Sequence, residues 1–482
     1  MLPGFVVAYL GATLLIGWWA SRRVKSTRDF VVAGRNLPMV VAASALFATW
    51  FGSETILGAS AEFVEHGLIG VIEDPFGAAL CLFLVGALYA RPLYRLQVLT
   101  FNDFFRIRFS RRAELISAVF MIPSYFGWVA AQLVAMAILL NAIAGLTLLQ
   151  GIGLCTLIVV CYTYIGGMWA VSVTDFVQAI MIVAGLLLLA YQLGAAAGGP
   201  ARVLASVPDG FYRFWPKGGW HSTLHYIAAW ITIGLGSIPQ QDVFQRVMAA
   251  RSAPTAVRAS YLSAVLYLTI GLIPLFIGLC ARLLYPEAST LEDKQLVLPS
   301  VVLAHSSLWL QVLFFGALLS AILSTTSGGM LAPATVIGEN LIKPYYPGMS
   351  DRRLLYAMRL SVVGVALCSA ALAATSQNIY ELVGQSSALS LVSLFVPLTA
   401  GLYWKRASNV GALSAIVFGM LTWLFCEWQA TAVPSLIYGG LASTAAMMAG
   451  SWFFPDRSFV AYQLAVGEAN SVAGRALNNQ KT

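Results

Sequence analysis

Apolar residues dominate this chain in runs that short polar or charged segments separate. A helix needs about 20 apolar residues to cross the hydrocarbon core of a bilayer, so each long run predicts a membrane-spanning helix. Thirteen runs can be read along the sequence. They cover residues 2–20, 38–64, 67–91, 115–145, 147–166, 171–197, 223–245, 256–283, 300–338, 355–374, 378–402, 409–428 and 432–453.

Two of these runs, 38–64 and 300–338, are longer than one straight crossing requires. Each is expected to tilt, to break or to continue beyond the bilayer. Only 10% of the residues are charged and 59% are hydrophobic, whereas soluble proteins carry roughly 25% charged residues. The sequence therefore predicts an all-α polytopic membrane protein without a separate soluble domain.

The net charge of +8 is distributed along the chain in a way that indicates the membrane topology. Most of the 28 basic residues fall after the first, third, seventh, ninth, eleventh and thirteenth runs, as Arg22 and Arg23 do after the first. If the helices alternate, these segments share one side, which the positive-inside rule assigns to the cytoplasm. We expect an outside N-terminus, an inside C-terminus and no nucleic-acid partner.

The residues that enzymes and metal sites use are not arranged for such chemistry here. The six cysteines include no C-x-x-C pair, and the four histidines lack the spacing of metal ligands. A phosphate loop and a G-x-S-x-G motif are both missing from the sequence. The sequence therefore indicates neither an enzyme nor a transition-metal site.

The segment ATWFGSETILG, residues 48–58, places polar groups inside an apolar run. A charge at mid-bilayer costs on the order of 3 kcal/mol, so Glu54 is a candidate functional residue. Asp175, Glu73 and Asp74 are candidates on the same ground. An ion pair between helices is the alternative for each, and an interfacial position suits Glu73 and Asp74 equally well.

Backbone breaks recur at matched places in the sequence. Gly52 interrupts the second run, and Gly236 and Pro239 interrupt the seventh. With the first run peripheral, these two runs begin five-helix units of opposite orientation, at 38–197 and 223–402. Such paired breaks are typical of transporters with inverted repeats, whose site lies at the breaks. Close helix packing at glycine is the alternative explanation.

The remaining parts of the chain lie outside these two units. Residues 1–25 are expected to form a peripheral N-terminal helix. Residues 409–453 are expected to form two peripheral C-terminal helices, and residues 454–482 a cytoplasmic tail.

Hydroxyl groups crowd the segment GALLSAILSTTSGGMLAP, residues 316–333. Ala321, Ser324 and Thr325 fall at i, i+3 and i+4, so they share one face of a helix. Two hydroxyls and a carbonyl on one face suit a hard cation such as Na⁺. The alternative is that the hydroxyls bond back to carbonyls of their own helix.

Five motifs along the chain resemble those of the sodium:solute symporter family, with the closest likeness to its high-affinity choline transporters. They are ATWFG at 48–52, YTYIGGMWAVSVTDFVQ at 162–178, GSIPQQDVFQRVMAA at 236–250, SAILSTTSGGMLAPAT at 320–335 and PLTAGLYWKRASNVGA at 397–412. The resemblance implies a leucine-transporter-type fold. In that fold ten core helices form two inverted repeats, with one further N-terminal and two further C-terminal helices.

The resemblance also implies one main Na⁺ site. Its ligands are expected to be the carbonyl oxygens of Ala48, Phe51 and Ala321 and the hydroxyls of Ser324 and Thr325. Asp175 matches the aspartate of the family's TDxxQ motif, which implies a second sodium or coupling to the first. A structural hydrogen-bonding role for this aspartate is the alternative.

For the substrate, Trp50 and Trp128 match tryptophans that form an aromatic cage in the choline transporters. Such a cage attracts an ammonium group through the ring quadrupoles. Gln240 and Ala78 replace two other aromatic residues of the cage, and Asp74 aligns with a sugar-binding glutamate of sugar-carrying relatives. Packing or lipid contact is the alternative role for both tryptophans. We expect a small cationic or zwitterionic amine.

Glu54, just beyond the first break, is expected either to contact this solute or to tie the break to a neighbouring helix. The predicted function is Na⁺-coupled symport by alternating access in the cell membrane, specifically a bacterial inner membrane, with lipid around the protein. The alternatives are a sodium symporter of a carboxylate or sugar, a symporter-like sensor with a separate signalling partner, and a channel.

Overall fold

The computed structural model describes residues 2–287, 294–376, 378–456, 458–459 and 462–463. Most of the predicted tail, residues 454–482, therefore lies outside the described residues. The described backbone is helical, and an isolated backbone bridge joins Leu37 to Ala250. The described residues therefore have the all-helical fold class that the apolar runs predicted.

The first part of the chain forms one long helix, a series of short helices, two further long helices and a last short one. In order they are α1 (Leu2–Ser21), α2 (Thr27–Val32), α3 (Met39–Ala48), α4 (Ala59–His66), α5 (Ala78–Leu84), α6 (Ala90–Arg95), α7 (Phe101–Arg108), α8 (Arg111–Ala144), α9 (Leu148–Ala196) and α10 (Pro200–Ala205). Wider π-helical turns precede α4, α5 and α6, at Glu54–Gly58, Ile72–Gly77 and Val85–Tyr89.

The second part of the chain continues in the same manner. Its helices are α11 (Gly219–Gly236), α12 (Gln241–Ala249), α13 (Ala253–Leu284), α14 (Val297–His305), α15 (Leu308–Val336), α16 (Asp351–Ala373), α17 (Ile379–Ser390), α18 (Val396–Tyr403), α19 (Asn409–Gln429) and α20 (Ser435–Phe453). π-Helical turns at Ile337–Ile342 and Leu391–Phe395 extend α15 and join α17 to α18.

Eight helical stretches of the described residues are long and apolar enough to cross a bilayer. They are Glu54–Arg95, Arg111–Ala144, Leu148–Ala196, Ala253–Leu284, Leu308–Tyr345, Asp351–Ala373, Ile379–Tyr403 and Asn409–Gln429. Local sequence fixes several of their ends. The hydroxyls of Ser110, Thr147 and Ser252 each accept a backbone N–H in the first turn of α8, α9 or α13, which satisfies an otherwise unpaired donor.

The two runs predicted at 147–166 and 171–197 both lie within α9, where the non-helical backbone of Gly167 divides the helix into two segments at a kink. This residue has φ of 57°, a left-handed value that a side chain disfavours. A Cβ atom at Gly167 would also lie only 2.5 Å from the ring of Phe30. Glycine therefore lets the chain turn there while α2 packs closely against it.

Two interruptions lie near the centre of the molecule. The first separates α3, which ends at Ala48, from the helical turn that begins at Glu54, and Gly52 lies within it. The second separates the end of α11 at Gly236 from the start of α12 at Gln241, and it contains Pro239. Helices α8, α9, α13, α15 and α17 pack around these interruptions.

Candidate functional site

A cavity with an empty volume of ≈ 300 Å³ lies between the two interruptions. Its walls come from both breaks, from the start of α5 and from α8, α13 and α17. It is lined by Trp50, Glu54, Asp74, Ala78, Trp128, Ile233, Ser237, Gln240, Tyr267, Val383, Ser386 and Ser387. These residues include the five predicted to contact substrate. All of the lining side chains are buried, so the cavity is closed in this conformation.

The carboxylate of Glu54 is anchored on one side only. The side-chain amide of Gln132 donates to Glu54 Oε2 at 2.9 Å, and the hydroxyl of Ser53 donates to the same oxygen at 3.3 Å. The other oxygen, Oε1, is buried and has no hydrogen-bond partner in the described part of the chain. Glu54 is therefore hydrogen-bonded to α8 through one carboxylate oxygen, while the other oxygen remains free to accept a hydrogen bond.

Asp74 has the same half-satisfied arrangement. Thr55 Oγ1 donates to Asp74 Oδ2 at 2.6 Å and lies 2.6 Å from the phenol oxygen of Tyr267. Because a hydroxyl has a single proton, Thr55 accepts the phenol proton while it donates to the carboxylate. Asp74 Oδ1 is buried and unpaired among the residues that the structure describes. The neighbouring Glu73 does not line the cavity.

The electrostatic character of the cavity follows from these side chains. It contains two carboxylates and two tryptophans, and its lining includes no lysine, arginine or histidine. Within the described ranges neither Glu54 nor Asp74 forms an ion pair. A buried carboxylate without a partner is costly, and both carboxylates and ring faces attract a cation. The cavity therefore favours a positively charged group.

The predicted sodium ligands lie where α15 passes the first break. Thr325 Oγ1 donates to the carbonyl oxygen of Ala48 at 3.0 Å, and Ser324 Oγ donates to Asp175 Oδ1. Both hydroxyls thus point away from their own helix, in contrast to Thr326, which donates to the Ile322 carbonyl at 2.5 Å. The alternative, a hydrogen bond back to a carbonyl of the same helix, therefore applies to Thr326 but not to Ser324 or Thr325.

The other two predicted ligands occupy the same region. Ala321 precedes Ser324 by one turn of α15 and is buried. Phe51 follows the end of α3, and its ring stacks on Phe47 with centroids 4.5 Å apart and meets Tyr267 edge-on at 5.7 Å. The ring of Phe51, which lies within the break, is thereby packed against both α3 and α13.

Asp175 links this region to the second break. Its Oδ2 atom lies 3.8 Å from Arg246 Nη2, and neither side chain is exposed to solvent. Arg246 Nε in turn donates to the carbonyl oxygen of Ala45 on α3 at 3.0 Å. The buried pair therefore connects α9, α12 and α3, and neither of its residues lines the cavity.

Sequence analysis missed three residues of this site. Gln132 is a polar residue within an apolar run, which is the signal that singled out Glu54 and Asp175, whereas Arg246 directly follows the seventh run and was counted only among the basic residues that indicate topology. Tyr267 gives no comparable signal, because tyrosine is common in membrane helices. Its role becomes visible only where its hydroxyl meets Thr55.

An all-helical membrane protein with a closed polar cavity at paired helix breaks has the architecture of a transporter. Residues 30–419 match the model of the sodium:solute symporter family, and the chain belongs to that family. It is therefore a multi-pass membrane transporter and not an enzyme, and sodium is its coupling ion. The family resemblance seen in the motifs is confirmed.

Individual relatives differ in their named substrates. The chain is 26% identical to high-affinity choline transporter 1 of Caenorhabditis elegans, over 94% of this chain and 81% of that one. It is 28% identical to the high-affinity proline transporter PutP of Bacillus subtilis (strain 168), over 91% and 94%. These likenesses span nearly the whole chain, so they extend well beyond the motifs.

A solved structure shows the same fold. A Na⁺-coupled sialic acid symporter, in a substrate-bound outward-open state, matches 95% of this chain and 98% of its own with a TM-score of 0.80. The sequence identity to it is 20%, so this likeness concerns the fold alone. The predicted all-helical transporter fold is thereby confirmed.

Proposed function

We propose that this protein carries a small cationic or zwitterionic amine together with Na⁺, by alternating access. The observation that carries the proposal is the closed cavity at the helix breaks. There Glu54 Oε1 and Asp74 Oδ1 are buried without a partner among the described residues, beside Trp50 and Trp128. A protonated or quaternary nitrogen would compensate these carboxylates, whereas a carboxylate solute without a positive charge would be repelled.

Two relatives are consistent with this solute class, because choline and proline both carry a positively charged nitrogen. The side of the cavity formed by the second break contains Gln240, Ser237 and Ser387. These polar groups suit the hydroxyl of an amino alcohol or the carboxylate of an amino acid. Because Gln240 stands in place of an aromatic ring, the aromatic cage in this cavity is incomplete, and we expect the carboxylates of Glu54 and Asp74 to contribute to binding.

The co-transported Na⁺ would bind between the first break and α15. The carbonyl oxygens of Ala48, Phe51 and Ala321 and the hydroxyls of Ser324 and Thr325 supply the oxygen ligands that a hard cation prefers. In this role the ion would hold together two elements that one direct hydrogen bond, from Thr325 to Ala48, joins now.

Sodium and solute would be coupled through the broken helix itself. Residues 48 and 51 face the ion, and residues 50 and 54 face the cavity, so fixing the break for one ligand orders it for the other. Such coupling is reciprocal, because each ligand raises the affinity for the other by the same factor. Asp175 would sense the ion through its hydrogen bond with Ser324. Because Arg246 already supplies a positive charge 3.8 Å from Asp175, we propose that Asp175 couples to the first sodium and does not bind a second one.

The finer architecture belongs to the same proposal. Two inverted five-helix units, at 38–197 and 223–402, would surround the breaks, with 1–25 and 409–453 as peripheral helices. Thirteen crossings would place the N-terminus outside and the C-terminus inside a cell membrane, specifically a bacterial inner membrane. The matched interruptions after α3 and α11 and the distribution of basic residues support this arrangement.

The first test is thermal stabilisation of the purified protein by a panel of amines, amino acids, betaines, sugars and carboxylates, in Na⁺ or in K⁺. A ligand that binds the native state raises the melting temperature. We expect an amine or amino acid to stabilise the protein in Na⁺ and much less in K⁺. Stabilisation by a sugar or a simple carboxylate alone would overturn the assignment of the cavity, and stabilisation independent of Na⁺ would overturn the coupling.

Uptake of the identified ligand into proteoliposomes then separates a carrier from the other classes. A Na⁺ gradient should drive accumulation above the outside concentration. A channel would equilibrate the solute without accumulating it, and a pure sensor would bind the solute without moving it.

A further inference from the structure

A large apolar groove lies between α1 and the first half of α9, and it shares no lining residue with the central cavity. It has an empty volume of ≈ 1480 Å³ and is lined by Ala8, Gly11, Ala12, Leu15 and Trp18 on α1 and by residues between Leu157 and Gly166 on α9. Ten residues of helix separate Ala8 from Trp18, a rise of about 15 Å. This length equals one leaflet, half of the roughly 30 Å hydrocarbon core.

The groove ends next to two arginines. Arg22 lies over the ring of Trp18 at 4.0 Å, and Arg23 lies over Trp19 at 5.3 Å and over Trp169, on α9, at 5.1 Å. Both arginines are exposed, and neither guanidinium has a hydrogen bond or ion pair with any residue that the structure describes. Stacking on tryptophan fixes the position of each guanidinium but leaves its N–H groups free to donate.

We infer that this groove binds an anionic phospholipid, with an acyl chain against α1 and α9 and the headgroup phosphate on Arg22 and Arg23. The length of the groove matches a single acyl chain of one leaflet, and its apolar walls suit hydrocarbon. The two free guanidinium groups at its end complement a phosphate, which arginine binds through paired N–H groups. Basic clusters at the ends of membrane helices are typical sites for such lipids.

This lipid site is independent of the proposed transport function, since no residue of the central cavity contributes to it. Only the leaflet depends on the proposed topology, which puts Arg22 and Arg23 on the cytoplasmic side. A second copy of this chain is the competing occupant. It explains the groove but leaves the two arginines without the anion that their free donors favour.

The experiment uses the full purified chain in detergent, with phosphatidylglycerol and phosphatidylcholine of identical acyl chains. Lipid binding is measured by native mass spectrometry and by the shift of the melting temperature. We expect the wild type to prefer phosphatidylglycerol. The double variant Arg22→Gln, Arg23→Gln should bind it about 30-fold more weakly (about 2 kcal/mol), whereas Arg352→Gln with Arg353→Gln, at an equally exposed site on α16, should not.

A second variant tests the apolar part. A Cβ atom at Gly11 meets no atom within 4 Å, and neither does one at Gly153, which lies on α9 outside the groove. Gly11→Leu should fill the groove and weaken the binding of both lipids, and Gly153→Leu should leave binding unchanged. Gly11→Leu therefore tests lipid binding in the groove even if the double arginine variant does not fold.

Three results would overturn the inference. The first is equal binding of phosphatidylglycerol and phosphatidylcholine to the wild type. The second is unchanged phosphatidylglycerol binding in Gly11→Leu. The third is a dimer that Gly11→Leu dissociates, which would make a second copy the occupant.

Discussion

Thr325 donates its hydroxyl proton to the carbonyl oxygen of Ala48 at 3.0 Å, across a separation of 277 residues in sequence. The bond joins α15 to the last residue of α3, where the first break begins. It places two oxygen atoms at the junction where sodium ligands are expected. Ser324, its neighbour, bonds instead to Asp175 and so brings α9 to the same junction.

This geometry predicts the effect of removing the two hydroxyls. Ser324→Ala with Thr325→Ala would delete two of the five proposed ligands, so the Na⁺ concentration for half-maximal stimulation of uptake should rise by about tenfold or more. Thr326→Ala is the matched control, because this hydroxyl serves only its own helix. Uptake by the double variant with a normal Na⁺ response would remove α15 from the sodium site.

The central cavity gives a second prediction, on the charge of Glu54 and Asp74. Glu54→Gln or Asp74→Asn should weaken binding of the amine by about tenfold or more, because a charge about 4 Å away contributes ~4 kcal/mol at an effective dielectric constant of ~20, part of which desolvation offsets. Glu73→Gln is the control, since Glu73 lies next to Asp74 in sequence but not in the cavity lining. Binding can be followed by ligand-induced thermal stabilisation.

Two results with these three variants would contradict the prediction. If Glu73→Gln weakened binding as much as the cavity variants, the effect would come from negative charge around the cavity and not from the carboxylates that line it. If none of the three changed the affinity, the solute would not be recognised by its positive charge.

The sequence predicted these elements to different degrees, for physical reasons. Apolar runs are local and long, so all thirteen coincide with mostly helical backbone, and the hydroxyls of Ser324 and Thr325 could be placed on one face by helical spacing alone. The break at Gly52 was visible because polar residues and glycine interrupt an apolar run. Local patterns of this kind were sufficient to predict the fold class and the candidate residues at the first break and on α15.

The partners of those residues were not predictable in the same way. Gln132 bonds to Glu54 across 78 positions, and Arg246 meets Asp175 through the packing of α12 against the core. Such pairs depend on how helices pack, which periodicity does not encode.

A third prediction concerns the second break. A Cβ atom at Gly236 would lie 2.3 Å from the carbonyl oxygen of Ser387, a contact that requires the backbone of α11 or α17 to shift. Gly236→Ala should therefore lower the melting temperature and the rate of uptake together. At Gly234 the closest atom would be the Leu80 side chain at 3.2 Å, which can move, so Gly234→Ala should retain nearly full uptake. Equal activity of the two variants would mean that α11 and α17 do not need this close contact.

The last prediction concerns stability, at the end of α7. Arg108 is fully buried, and it donates to the carbonyl oxygens of Gly401 and Ala407 at 2.7 and 2.9 Å and to the hydroxyl of Ser458 at 2.8 Å. Arg108→Ala would leave these acceptors unpaired and open a cavity, which should cost about 3 kcal/mol or more of unfolding free energy. Arg106 is the control, because its side chain is 52% exposed and contacts Asp103 at 3.4 Å, so its removal should cost about 1 kcal/mol or less. Thermal unfolding of both variants in detergent measures the difference, and equal melting temperatures would show that Arg108 does not hold α7 to the α18–α19 connection.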